Sequence, residues 1–279
     1  MDDPLSLVVK AAVEKVIEAT VGKVWESGQK LIEHFATGGD RAVRQAAYEN
    51  ALKMANHLAD RMSDLERSQQ ITRQAIQLAF NQPAIHNLMR IALIESAQTD
   101  SEEKHALLAR LVADRLTSES EGTRALASEM AAQAIAHMTS RQLRILGLQV
   151  NLTSIRPASM PVEIDTVNQY NDWIMPYLER QLTPYIGLTL GAFDLSHLEA
   201  LSCLRVDEIR ARSLVTMLSS GTLAFDVALF GETNVGKEVT KLWANGLSRV
   251  MLTSVGSIVG VYASDMLTGV TTVMTDWDT

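Results

Sequence analysis

The sequence predicts a mainly α-helical protein of two domains, and three observations carry that prediction. Aromatic residues make up only 5% of the 279 residues while Ala, Leu and Met are plentiful, a balance that suits helix interfaces better than sheets of aromatic and β-branched residues. Apolar positions recur three and four residues apart through most of the first 150 residues, which is the period of one helix face. Pairs such as Thr139 with Gln142 carry the capping-box signature of helix N-termini. With 47% hydrophobic residues the chain can fill a core, and its length lies near the roughly 250–300 residues at which single cores stop growing. We read a helical bundle over 1–155 and a mainly helical domain over 156–279, the latter winged-helix-like with a short β-wing near 249–253.

The first element is a long amphipathic helix from Pro4 to Phe35, with Val9, Val13, Val16, Ile17, Val21 and Val24 on one face and Thr37 to Asp40 stopping it. A second runs from Asp40 to about Phe80. Its Ala51, Ala55, Leu58, Met62 and Leu65 alternate steps of four and three, a heptad seam that an antiparallel first helix would cover. Together they predict a helical hairpin over 5–80. A third helix follows Pro83 to about Ser96, and Thr99 with Glu102 predicts a capping box before the helix of Leu108, Leu111, Val112 and Leu116. Small residues such as Ala127, Ala131 and Ala134 predict a close-packed helix over about Gly122 to Met138, and Thr139 opens the next.

Two of the six prolines fall in Ile155 to Pro161, a stretch that reads as a linker. Beyond it the pattern predicts a helix over Asp165 to Leu182 disturbed near Pro176, one capped by Ser196, and one opened by Asp207 and closed by Gly221. The tail reads as two helices, a strand Val250 to Thr253 and a final helix capped by Thr253.

Net charge is −8 with a pI near 5.3, so the molecule as a whole repels polyanions. Residues 186–279 carry six Lys and Arg against ten Asp and Glu, which disfavours duplex binding even though Lys237, Lys241 and Arg249 would mark the recognition helix and wing of a winged helix. The lone Cys203 lies in an apolar stretch and reads as a buried thiol. The acidic start MDDPLSLVVK predicts no secretory signal and a cytoplasmic protein. Val250 to Met274 contains Asp265 and many Ser, Thr and Gly residues, too polar for a membrane span. The amphipathic first helix leaves membrane contact open.

The segment Phe225 to Glu238, FDVALFGETNVGKE, nearly matches a P-loop, in which Gly231 and Gly236 would let backbone amides wrap a phosphate and Lys237 would neutralise it. Glu238 replaces the hydroxyl that holds Mg²⁺, and only 42 residues follow Lys237, too few for the strands of a parallel nucleotide-binding sheet. We therefore read Gly231 as a helix breaker, with Val235, Val239, Leu242 and Trp243 forming the buried face of the next helix and Lys237 on its exposed face. The alternative is a nucleotide-binding switch using Gly231, Gly236 and Lys237. Glu102 and His105 have the Glu-x-x-His spacing of di-iron bundles, but that chemistry needs a second copy. His34, His57, His86, His137 and His197 show no paired ligand spacing. No catalytic, cofactor or metal residues are assigned.

Three segments, LLARLVADRLTSES, AIAHMTSRQLRILGL and LSRVMLTSVGSIVGVYASDMLTG, resemble the abortive-infection alpha family of bacterial phage-defence proteins. The matching positions are Leu107 to Leu116, then Ile135, Met138, Thr139 and Leu143, then Leu252, Thr253 and Gly256. The resemblance covers about 100–150 and 245–270 and implies a helical bacterial protein that resists phage, without catalytic residues. The reading that results is a non-enzymatic helical interaction protein of anti-phage defence. It would associate with a second copy of itself through the 5–80 hairpin and sense a protein partner, a phage or host component, through its C-terminal unit. A winged-helix DNA-binding regulator and a membrane-active effector are further alternatives.

Overall fold

The computed structural model describes residues 41–80, 82–117 and 123–272. The expected first helix, its ion pairs and the Thr37 to Asp40 cap lie outside the described residues. What is described is mainly α-helical, with twelve α-helices and one two-stranded sheet. The chain forms two compact units that divide between His137 and Met138, earlier than the boundary near 155.

The first unit contains α1 (Arg41–Arg67), α2 (Arg73–Phe80), α3 (Pro83–Ala97), α4 (Glu102–Leu116) and α5 (Thr123–His137). Ala51, Leu58, Met62 and Leu65 of the seam are buried on α1 as its spacing predicts, and they face α4 and α3. Each such Leu or Met contributes about 1.5–3 kcal/mol of burial. The expected continuous helix to Phe80 is interrupted. No apolar residue lies between Leu65 and Ile71, so nothing holds a further turn on the core, Gln69 takes a left-handed φ of 58°, and Thr72 Oγ1 accepts the Ala75 amide to begin α2.

Pro83 occupies the first turn of α3, where a missing N–H costs nothing. The cap of α4 differs from the expected Thr99–Glu102 box. Ser101 is the N-cap, its hydroxyl accepting the Lys104 amide, while Thr99 Oγ1 accepts the Ser101 amide. Glu102 is thereby free to reach His57.

The second unit contains α6 (Ser140–Thr153), α7 (Val167–Leu182), α8 (Ala192–Ala200), β1 (Leu204–Val206), α9 (Leu214–Leu218), α10 (Val227–Phe230), α11 (Asn234–Ala244), β2 (Val250–Leu252) and α12 (Ser254–Thr268). The Thr139 capping box forms: its hydroxyl accepts the Gln142 amide at 3.2 Å and its amide donates to Gln142 Oε1 at 2.9 Å. Helices α6 and α12 form the centre of this unit, which explains why α6 belongs here rather than with the bundle before it. A Cβ on Gly260 would lie 2.7 Å from the Leu146 carbonyl, so only glycine permits this approach of the two backbones. Where the helices meet, Asn151 Nδ2 reaches Ser264 Oγ at 2.6 Å and the Gly147 carbonyl at 2.8 Å. Burial of the neighbouring Tyr185 pushes its phenol up to about 12.

Pro176 lies inside α7, and Pro184 opens the 3₁₀ turn Thr183–Tyr185 that follows it. Two expected caps are displaced. Ser196 sits within α8, whose start is set by Asp194 Oδ2 accepting the Gly191 amide at 3.0 Å. Asp207 makes a turn, accepting the amides of Ile209 and Arg210 at 2.9 and 3.0 Å, with no helix until Leu214. Strand β2 falls where a wing strand was expected, but it pairs antiparallel with β1, Leu204 opposite Leu252. It then runs directly into α12, so the described residues show no wing hairpin.

Candidate functional site: the Gly231–Lys237 segment and the surfaces around it

The P-loop-like string folds as helix, turn and helix, with no strand before the glycines. Asp226 caps α10 by accepting the Leu229 amide at 2.9 Å. Gly231 ends α10 with φ −65°, and Thr233 caps α11 by accepting the Gly236 amide at 2.9 Å. The amides of Gly231, Glu232, Thr233 and Lys237 donate to the carbonyls of Val227, Leu229, Phe230 and Thr233. A phosphate cradle works by offering such amides unpaired, and these four, with that of Gly236, are already spent. Val235, Val239, Leu242 and Trp243 are buried and Lys237 is exposed, as the helical reading predicts.

Gly236 has a different use. A Cβ there would lie 1.7 Å from the Phe230 carbonyl oxygen, the same oxygen that accepts the Thr233 amide at 3.0 Å. The start of α12 repeats this arrangement. Thr253 accepts the Gly256 amide at 3.2 Å, its own amide donates to the Cys203 carbonyl at 3.1 Å, and a Cβ on Gly256 would lie 1.7 Å from that oxygen. In both places Thr-x-x-Gly caps a helix while the glycine admits the carbonyl that holds the cap residue's amide. The sequence match to a P-loop thus records a packing constraint on position 236.

The residues weighed for metal or nucleophilic chemistry are placed as follows. His57 Nε2 lies 2.6 Å from Glu102 Oε1 and His105 Nδ1 lies 3.7 Å from Glu102 Oε2. The His57 hydrogen bond holds the Glu102 carboxyl below its usual range. His105 is fully buried, with Nε2 at 2.8 Å from the Thr99 carbonyl and 3.2 Å from that of Ser96. Sequence spacing did not bring His57 into this group, because it comes from α1. Among the described residues no group of three or more His, Cys, Asp or Glu is placed to hold a metal ion. His197 Nδ1 lies 2.9 Å from Gln142 Nε2, and the half-buried His86 and exposed His137 stand apart on α3 and α5. His34 lies outside the described residues. Cys203 is buried, and burial pushes its thiol up to about 12, which suppresses the thiolate a nucleophile requires.

The second unit also carries apolar side chains that its own core does not use. Phe193 is 90% exposed and Ile186 is 46% exposed. Two arginines one turn apart on α6 tie the segments bearing them to one helix face. Arg141 Nη2 meets Asp194 Oδ1 at 3.0 Å, and Arg144 Nη2 donates to the carbonyls of Pro184 at 2.7 Å and Ile186 at 3.4 Å. Exposed apolar side chains on segments tied down by guanidinium groups have the composition of an interaction surface. No sequence signal identified this surface, because a lone Ile186 or Phe193 carries no mark in the sequence that separates an exposed apolar side chain from a buried one.

No helix among the described residues is long and apolar enough to cross a membrane, and α12, from the stretch weighed as a span, has 15 residues. No curated protein and no solved structure matches the chain. A protein-family model matches residues 19–226, most of the chain, and the chain belongs to that family, which is uncharacterised. The match includes Ile186 and Phe193 and ends before Gly231.

Proposed function

We propose that this family member is a non-enzymatic helical protein that acts through protein contacts, and that it serves in bacterial anti-phage defence of the abortive-infection kind. The contact role rests on one observation: Phe193, 90% exposed, adjoins the salt-bridged Asp194 in sequence, and Ile186, 46% exposed, lies on an arginine-clamped turn. An exposed phenylalanine on a helix whose start is fixed costs little entropy to bury again, which is what a contact surface needs. The α1 seam expected to support self-association is already covered by α3 and α4, so the second unit is the better-supported contact face. The defence role rests on the resemblance of the segments at 100–150 and 245–270 alone.

Light scattering of the purified chain, alone and after crosslinking in cells, tests the contact role. Phe193→Asp is expected to lower the associated fraction about tenfold, since the side chain is worth about 1.5–3 kcal/mol when buried. A strict monomer with no crosslinked partner, or association untouched by Phe193→Asp, would refute it. Plaque formation on cells with and without the protein tests the defence role separately, and equal plating across a phage panel would remove it.

A further inference from the structure

Between the end of α6, the face of α7 and the turn after α9 lies an open cavity of about 330 Å³, lined by Arg156, Met160, Tyr170, Trp173, Ser220 and Gly221 among others. This volume lies at the low end of small-molecule pockets, about 300–1,000 Å³. We propose that this cavity binds a small planar aromatic molecule bearing one negative charge.

Arg156 supplies the charge. It is exposed as a whole residue, yet its guanidinium donates to the carbonyls of Asn151, Leu152, Ile155 and Met217. These contacts take up its four terminal N–H groups and hold it still, and among the described residues no carboxylate pairs with its charge. Desolvation by the surrounding protein lowers its pKa, the cost of holding a cation here without a counter-ion. A fixed cation with no counter-charge at a cavity wall is an attractive site for an anion.

The other wall is aromatic. Tyr170 and Trp173 lie with ring centroids 6.1 Å apart and planes inclined by 46°, and Tyr170 is anchored by its hydroxyl donating to the Leu218 carbonyl at 2.5 Å. Tyr170 is buried and backs the half-buried Trp173, so Trp173 is the ring on which a flat ligand would pack. Other polar groups are unused: among the described residues no hydrogen bond uses the Ser220 hydroxyl, the Gly221 amide or the Trp173 indole N–H, and the two N–H groups can only donate. Cation, spare donors and ring faces together select an anion on a planar body over a cation or a sugar. Gly221 has a φ of +57° and nothing within 4 Å of the place its Cβ would occupy, so the mouth beside it is open.

Calorimetry on the full chain with 2-naphthoate, naphthalene-2-carboxamide and inorganic phosphate tests the proposal. Saturable binding of one 2-naphthoate is expected, with the uncharged amide and ring-less phosphate each about tenfold weaker or worse. Gly221→Asp is expected to weaken 2-naphthoate about tenfold, the effect of one like charge roughly 8 Å away in a partly solvated cleft. Gly221→Asn, of the same shape and equally tolerant of a left-handed φ, is expected to change it less than about threefold. Absence of saturable binding, equal affinity for the acid and its amide, phosphate binding as tightly as 2-naphthoate, or equal effects of the two Gly221 variants would each overturn the proposal. None of these outcomes bears on the contact role of Phe193, which uses other residues.

Discussion

Replacing Gly256 by alanine sets helix propensity against packing, and the structure predicts that packing wins. The new Cβ would lie 1.7 Å from the Cys203 carbonyl oxygen and 2.6 Å from its carbon. Both are backbone atoms and cannot rotate away. To reach even 3.0 Å the start of α12 must recede by about 1.3 Å, which stretches the 3.1 Å Thr253 to Cys203 bond beyond hydrogen-bonding range. The same movement pulls Thr253 Oγ1 from the Ser202 carbonyl, now at 2.6 Å. Two hydrogen bonds at about 1 kcal/mol each and repacking at about 1–3 kcal/mol outweigh the roughly 1 kcal/mol by which alanine favours a helix. The net loss is about 2–4 kcal/mol. Gly236→Ala has the same geometry against Phe230 and should cost a similar amount, whereas Gly231, with a helical φ and its nearest contact at 3.2 Å, should tolerate alanine within about 0.5 kcal/mol. Urea unfolding followed by circular dichroism and tryptophan fluorescence measures all three. A Gly231→Ala protein as unstable as Gly236→Ala, or a Gly256→Ala protein within about 0.5 kcal/mol of the parent, would refute the account of these glycines.

Two further outcomes follow from buried polar groups. Gln149 is fully buried and its Nε2 donates to the carbonyls of Leu247 and Val250 at 3.3 and 2.8 Å, while its Oε1 has no partner. Both carbonyls keep a second donor, Leu247 the Val250 amide and Val250 the Arg212 guanidinium, so Gln149→Leu strands no acceptor while removing one orphan and should stay within about 1 kcal/mol of the parent in urea titration. The Cys203 thiol and the Tyr185 phenol are both raised to about 12, so the folded state favours their neutral forms. Their contribution is complete below the ordinary values of 9.0 for the thiol and 10.0 for the phenol and is lost as pH climbs towards 12. Urea midpoints should fall across that interval, less steeply in Cys203→Ala, and a thiol reagent at pH 8 should label Cys203 only through the unfolding transition.

What could be read from the sequence divides by the range of the force involved. The caps Thr139 and Thr253 were legible because donor and acceptor lie within three residues of each other, and the buried faces of α1 and α11 were legible because one helix period suffices to define them. The partners of those faces were not. Nothing in the spacing of Leu58, Met62 and Leu65 distinguishes α3 and α4 from a preceding hairpin helix as their cover. The same limit hid the pairing of β1 with β2, set by residues more than forty positions apart, and the group around Glu102, where His57 arrives from another helix.

Position 236 shows why a motif can match without its function. A glycine is required wherever another atom must occupy the place of a Cβ, and a sequence records that requirement without recording the atom. In a P-loop the visitor is a phosphate oxygen. Here it is the Phe230 carbonyl, 1.7 Å from where the Cβ would be, and the recurrence of Thr-x-x-Gly at 253–256 with the Cys203 carbonyl identifies the visitor's general role. It holds the amide of the residue that caps the helix. One string therefore has two physical explanations that differ in what glycine substitution does: loss of ligand affinity in a phosphate loop, and loss of stability at Gly236 with tolerance at Gly231 in this fold.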